Sequence, residues 1–310
     1  MLRIVALVPS SRAGGARGAP HRRSFPVMGG DFARRARGML AATHPAPAAV
    51  VTALALVFAL GVGLDAGRTV LVTAAVAAGQ LSVGWSNDWL DAARDRHVGR
   101  PDKPTVTGDV TPRLLRTGAF VALGACVVLS FATGLVPGLL HLAAVASAWS
   151  YNARLKATAL SWLPYAVSFG LLPAFVVAAA GDGRVVAGWT VGAAALLGVG
   201  AHLANVLPDL EDDDATGVRG LPHRLGRRAA SVLAPVVLAA GSVVILLGPP
   251  GAPAGPSAVL AGGAVVLAVA AGAVGLLRPR SRAPFLLSLA VAAVCVAQLV
   301  LAADAVALPG

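Results

Sequence analysis

Apolar residues in this chain neither alternate with polar ones nor form a stripe against a polar face; they run on in long blocks. Nine such windows lie at about residues 46–64, 69–87, 117–133, 136–150, 160–180, 186–207, 229–248, 257–277 and 284–303. Each approaches the ~20 residues that span a bilayer core. Charges or Pro and Gly punctuation bound them, as at Gly248-Pro249-Pro250-Gly251 between the seventh and eighth. A helix that is apolar all round is surrounded by lipid or by other helices. The pattern therefore predicts an all-α, polytopic membrane protein with nine transmembrane helices in a bundle. Abundant Gly and Ala fit helices that pack closely without a hydrophobic drive to associate.

Composition sharpens this reading. Hydrophobic residues make up 57% of the 310-residue chain and charged residues only 13%, about half the usual globular share, so most of the surface cannot face water. The net charge of +11 would suit nucleic acid, but the apolar blocks argue for a lipid bilayer instead and for no nucleic-acid partner. With the N-terminus placed in the cytoplasm, 23 of the 25 Lys and Arg fall on one side, leaving Arg68 and Arg184 outside. This positive-inside asymmetry predicts a plasma-membrane protein with the N-terminus in the cytoplasm and the C-terminus outside. Residues 1–40, rich in Arg, Gly and Pro, read as a disordered basic cytoplasmic arm. Residues 41–310 form the nine-helix domain. Arg22-Arg23-Ser24-Phe25 resembles part of a twin-arginine signal, but no short apolar core with a cleavage site follows, and Met28 offers an alternative start. Cys126 and Cys295 sit in separate apolar windows, which excludes a disulfide framework and argues against zinc.

Two acidic clusters stand out in this charge-poor background. Eight of the 14 carboxylates are Asp88, Asp91, Asp95, Asp209, Glu211, Asp212, Asp213 and Asp214. The register Asn87-x3-Asp91-x3-Asp95-x3-Gly99 recurs 118 residues later as Asn205-x3-Asp209-x3-Asp213-x3-Gly217. Both copies end outward-to-inward spans, the second and the sixth, and so read as parallel internal pseudo-repeats. On a helix, i, i+4 and i+8 share a face, so each copy predicts a column of carboxylates. Two unit charges at ~4 Å repel by about 4 kcal/mol at an effective dielectric near 20, which calls for a bridging cation. Oxygen-only ligands suit a hard ion, and Mg2+ commonly takes one or two carboxylates plus substrate phosphate oxygens. Glu211, Asp212 and Asp214 read as solvated helix-end carboxylates. Basic residues follow each cluster: Arg100-Pro101-Asp102-Lys103-Pro104 after the first, Arg219, Arg224, Arg227 and Arg228 after the second, with Tyr151, Arg154 and Lys156 between. A metal held by carboxylates with cations folded over it suits a diphosphate leaving group. Arg113, Arg116, Arg278, Arg280 and Arg282 read as serving the charge asymmetry alone.

Asn87-Asp88-Trp89-Leu90-Asp91-Ala92-Ala93-Arg94-Asp95 resembles the first Asp-rich motif of the UbiA superfamily of intramembrane prenyltransferases. Arg100 to Pro104 with Gly108 resembles the segment after it. Asp209-Leu210-Glu211-Asp212-Asp213 with Gly217, Arg219, Leu221-Pro222 and Leu225-Gly226 resembles the second motif and its tail. The likeness spans roughly residues 45 to 305. It implies a Mg-dependent enzyme that transfers the prenyl group of a polyprenyl diphosphate to a small acceptor, an aromatic ring being preferred, with the isoprenoid tail in a lateral, lipid-open tunnel. Implied metal ligands are Asp88, Asp91, Asp95, Asp209 and Asp213. Catalytic roles fall to Asp91, Asp209, Lys156 and Arg154, and substrate binding to Asn87, Arg100, Lys103, Tyr151, Asn205 and Arg219. The family often carries Tyr-x3-Lys, whereas Tyr151 and Lys156 are separated by four residues, so Lys156 and Arg154 both stay open for that role. Trp85, Trp89, Trp149, Tyr165 and Phe169 are candidates for the cavity wall. His202 is either an acceptor contact or a hydrogen-bonded helix histidine. The same scaffold also hosts terpene cyclisation, haem farnesylation and pentosyl transfer to a lipid phosphate. A transporter would place its ionisable groups nearer the bilayer midplane.

Overall fold

The computed structural model describes residues 28–210, 213, 217–253, 255–278 and 281–310, with side chains from residue 31 onward. It is an all-α polytopic membrane protein: α1 (Met28–Ala41), α2 (Pro45–Gly61), α3 (Ala66–Val98), α4 (Pro112–Ala132), α5 (Leu135–Ala153), α6 (Leu163–Ala178), α7 (Gly188–Val206), α8 (Leu221–Leu247), α9 (Gly255–Leu277) and α10 (Ala283–Leu301). Every apolar window is helical, but the count of nine transmembrane helices is corrected. Among the described residues six helices are long and apolar enough to cross a membrane, or seven if the pair Asp31–Ala41 and Pro45–Gly61, bent by 60°, counts as one. Two reasons are visible. Helix α6 has only 16 residues, and the last turns of α5 carry Ser150, Tyr151 and Asn152, which dilute its apolar run.

The N-terminal arm falls mostly on residues 1–27, outside the described residues, as do Arg22-Arg23-Ser24-Phe25, Glu211, Asp212, Asp214 and Arg280; from Met28 the chain is helical. Among the described residues two short strands depart from helix: Val185–Val186 pairs antiparallel with Ala307–Leu308.

Small residues let the helices meet. A Cβ on Gly84 of α3 would stand 2.6 Å from the carbonyl oxygen of Thr43, and one on Gly198 of α7 would stand 2.5 Å from that of Tyr165. One core joins α2, α3 and α6 through Ala55, Ala59, Val72, Val76, Phe175 and Val176; another joins α7 to α10 through Leu197, Leu238, Ile245, Ala264 and Val291. Outward-facing Val128, Val259, Val266 and Val269 are each more than 65% exposed, as expected where the solvent is hydrocarbon. Buried polar groups are tied across helices: Ser242 donates to Gln298, which donates to the Ser257 carbonyl at 3.2 Å.

The two cations expected on the outer side gather at one end of the bundle. Arg68 donates to the Ala179 carbonyl, and Arg184 donates to that of Val62 at 3.0 Å, near the strand pair that closes the C-terminus. The acidic motifs lie at the opposite end. Cys126 and Cys295 are both buried and free.

Candidate active site

The first motif rides on α3, whose last turns hold Asp88, Asp91 and Asp95 on one buried face at 1%, 7% and 1% exposure. Gly99 ends the helix in the left-handed region (φ 71°), and its N–H bonds back to the Asp95 carbonyl. The following loop then folds back over the column. Lys103 Nζ reaches Asp88 Oδ1 at 2.8 Å. The same oxygen meets His44 Nε2 at 2.9 Å, with Asn87 Nδ2 at 3.3 Å. Asp91 is paired with Lys156 and, at 2.9 Å, with Arg94. Asp95 differs: Arg94 stands 3.9 Å away, and both carboxylate oxygens are buried with no hydrogen-bond partner among the described residues.

The second motif does not build the same column. Helix α7 ends at Val206, and Leu207–Asp209 tighten into a 3-10 turn around Pro208. Proline has no N–H and its ring crowds the carbonyl four residues back, here that of Ala204. On an α-helix Asn205 and Asp209 would sit about 40° apart; three steps of about 120° widen this to roughly 100°. Both residues are exposed, whereas Asp213 is half-buried with His223 Nε2 at 3.8 Å. Burial pushes the Asp213 carboxyl above the usual carboxylate range; Asp209 adds to the rise, against His223, Arg94 and Arg100.

The two motifs nevertheless lie within electrostatic reach of the same side chains. Asp95 and Asp209 both act on the Arg100 guanidinium, which also forks onto Asp102 at 3.3 and 3.0 Å. Tyr151, at the end of α5, lies in the field of both Asp91 and Asp213. Its ring meets Tyr165 edge-on at 5.1 Å and His202 at 5.7 Å. Lys156 and Arg154 part company: Lys156 turns inward to Asp91, while Arg154 is exposed. Burial lowers the Lys156 ammonium below its ordinary value, and the Asp91 charge opposes that shift. Arg219 is exposed, its carbonyl accepting from Arg224 Nε at 3.1 Å.

The candidate cavity residues divide. Trp89, Phe120 and Trp149 form a row of rings at 5.9 and 5.5 Å. A shallow open groove of about 670 Å³ is walled by Trp89, Arg116, Thr117, Phe120 and Val121. Tyr165 stacks on Phe169 at 6.3 Å. Trp85 is fixed by its N–H to the Met39 carbonyl at 2.9 Å. His202 exchanges a 2.9 Å hydrogen bond with Ser161 Oγ, which also accepts the Leu221 N–H at 2.8 Å, so it locks α7 to the start of α8.

Sequence reasoning missed three residues. His44 reaches Asp88 from 44 positions away, and no local pattern announces it. Asn152 donates to the Val83 carbonyl and to Ser86 Oγ, both at 2.9 Å, clamping α5 to α3. Arg94 stands inside the motif; its spacing of three from Asp91 was the available signal.

Asp95 supplies a test of fit for a cation. A buried carboxylate with neither oxygen bonded is costly unless an ion compensates it. Among the described residues no three His, Cys, Asp or Glu side chains converge closely enough to hold an ion alone.

Carboxylates at the end of α3 and just beyond the end of α7 gather, with Lys103 and Lys156 beside those of α3, at one end of a helical membrane bundle. The chain belongs to the UbiA prenyltransferase family, whose sequence profile matches residues 48–294. It is 34% identical over 186 residues to the bacteriochlorophyll synthase 33 kDa chain of Cereibacter sphaeroides, a match covering 55% of this chain and 60% of that one. It is 34% identical over 190 residues to the digeranylgeranylglyceryl phosphate synthase of Methanopyrus kandleri, covering 59% and 67%. A solved UbiA homolog from Archaeoglobus fulgidus, bound to GPP and Mg2+, superposes with TM-score 0.64 at 18% identity over 84% of this chain and 99% of that one. A solved structure of a digeranylgeranylglyceryl phosphate synthase gives 0.63 at 16% identity over 87% and 98%. At these identities the structural likeness is one of fold.

Proposed function

We propose that this protein transfers the prenyl group of a polyprenyl diphosphate to a separate acceptor in a Mg2+-dependent reaction. The observation that carries the reading is Asp95, buried beside Asp88 and Asp91 on α3 with neither oxygen hydrogen-bonded among the described residues. Asp91 and Asp95 from α3, with Asp209 and Asp213 beyond α7, are the residues that would hold the ion. Bound there, Mg2+ supplies positive charge against the diphosphate as its bond to the prenyl carbon breaks. Lys156, Lys103 and Arg100 add fixed cations around the same leaving group. Tyr151, Tyr165 and Phe169 wall the space beside it, limiting water and facing a developing allylic cation with aromatic rings. Lys156, not Arg154, fills the role left open by the sequence, because it alone turns toward Asp91. Asp88 enters as a clamp for Lys103 and His44 more than as a ligand, since both side chains already meet one of its oxygens.

An aromatic acid is the acceptor that the resemblance favours, and the basic loop after α3 suits its carboxylate. The two curated relatives are named for bacteriochlorophyll and for a glyceryl phosphate, so an isoprenoid glyceryl phosphate belongs in the same test. Purified protein, Mg2+ and a panel of prenyl diphosphates are incubated with each acceptor, and products are identified by mass spectrometry. Acceptor-dependent prenylation supports the reading. Multiple-turnover release of a cyclic hydrocarbon without acceptor would establish a cyclase instead.

The acidic end is proposed to face the cytoplasm of the plasma membrane, because the basic loops gather there while Arg68 and Arg184 lie opposite. Helix α1 sits at that end, bonded through Met39 to Trp85, and the C-terminal strand sits at the other. Cysteine at exposed Thr107 should be labelled only from the cytoplasm and cysteine at Ala252 only from outside; the reverse pattern inverts the topology.

A further inference from the structure

Among the described helices α1 is the most amphipathic, yet almost none of it is packed. From Asp31 to Ala41 only Gly38 is buried and Met39 partly so. Phe32 is 76% exposed and Leu40 63%. At about 100° per residue, Phe32, Ala33, Ala36 and Leu40 fall on one arc, with Arg35 on one flank and Arg37 on the other. The remaining edge is fixed to the bundle. A Cβ on Gly38 would stand 2.9 Å from both Asp109 and Val110. The Met39 carbonyl accepts from Trp85 Nε1 at 2.9 Å. The axis then turns by 60° into α2 through His44, a non-glycine residue in the left-handed region (φ 52°) whose ring reaches Asp88.

A bent, edge-anchored helix with a bare apolar arc and arginines on both flanks fits one environment, the headgroup layer of a bilayer. There the arc enters the acyl boundary and the guanidinium groups meet phosphates. Arg34 is already engaged, with Asp31 at 3.3 Å and Asp109 at 3.8 Å. Arg35 and Arg37 have no carboxylate partner among the described residues.

We propose that α1 lies in the headgroup layer and binds anionic phospholipid through Arg35 and Arg37. This surface is separate from the diphosphate site and does not depend on the proposed reaction.

The test uses the full chain in lipid vesicles, with Ala36→Cys carrying an environment-sensitive dye; the native Cys126 and Cys295 are wholly buried and escape labelling. Quenching by brominated phosphatidylglycerol and by brominated phosphatidylcholine at equal mole fraction yields the relative association of the two lipids beside α1. A selectivity of about fivefold or more for the anionic lipid is expected, the contribution of a single cation near a charged surface. It should fall to near one in Arg35→Gln/Arg37→Gln. It should persist in Arg278→Gln/Arg282→Gln, which removes the same charge from two exposed arginines elsewhere. No quenching by either lipid, equal quenching by both in the parent protein, or equal loss in the two double variants would overturn the proposal.

Discussion

The two acidic motifs share one register in sequence and differ in structure. On α3 the helix runs unbroken to Val98, so Asp88, Asp91 and Asp95 are buried in a column, two of them latched by lysines. Beyond α7 the same spacing meets Pro208, the helix tightens, and Asn205 and Asp209 stand exposed. The first region is a preorganised wall with its cations in place. The second is a looser rim, joined to the first through the fields of Arg100 and Tyr151. A repeated motif therefore does not imply a repeated geometry when one residue between its polar positions cannot donate a backbone hydrogen bond.

The largest expected effect asks whether the rim is needed at all. Asp91→Asn should lower turnover by about a thousandfold, on the scale of losing a main electrostatic stabiliser. Asp209→Asn should cost a similar factor, because an ion held from one side only leaves the diphosphate unclamped. Asp182→Asn, on the exposed loop at the opposite end, should change turnover by less than about twofold, the scatter of a surface substitution. Radiolabelled prenyl transfer measures all three, and full activity in Asp209→Asn would reduce the rim to scaffolding.

Metal removal separates the regions next. Chelation should abolish transfer, and restoring Mg2+ should recover it. In Asp95→Asn the Mg2+ concentration for half-maximal rate should rise by at least about tenfold, since neither oxygen of that carboxylate is hydrogen-bonded among the described residues. Asp88→Asn should shift it less, because Lys103 and His44 already engage that group. Equal shifts in both variants would return Asp88 to the ligand set.

A third pair tests the latches. Lys156→Gln should lower turnover by about a hundredfold, whereas Arg154→Gln should stay within about twofold. The reverse order would assign the diphosphate contact to Arg154.

How far the sequence revealed these differences depends on the range of the interaction involved. All nine apolar windows are helical, since hydrophobic run length is a local signal, but the span count was too high because α6 is short and α5 ends in polar residues. The α3 column was legible because helical spacing alone places its three carboxylates on one face. Lys156 over Arg154 was not. Helix α5 ends at Arg154 (φ −150°, ψ −42°), and the 3-10 turn Leu155–Ala157 swings the next cation inward. His44 and Asn152 act over 44 and 66 positions, beyond any local pattern. Pro208 stands between Asn205 and Asp209, where it breaks the helical register that the shared spacing implies.

That break supplies the subtlest prediction. In Pro208→Ala the missing N–H is restored and the clash with the Ala204 carbonyl is relieved, so α7 can continue as α-helix through Asp209. Asp209 would rotate by roughly 60° toward the face of Asn205, making the second motif resemble the first. Proline costs up to about 3 kcal/mol against alanine inside a helix, so the exchange should raise hydrogen-exchange protection at the amides of Asp209 and Leu210. Turnover should fall only several-fold, because the carboxylate is displaced, not removed. The two readouts must move in opposite directions if the exposed rim is a working geometry that proline maintains. Higher protection with unchanged or faster transfer would show instead that the rim can be ordered without loss, and that the difference between the motifs is incidental to catalysis.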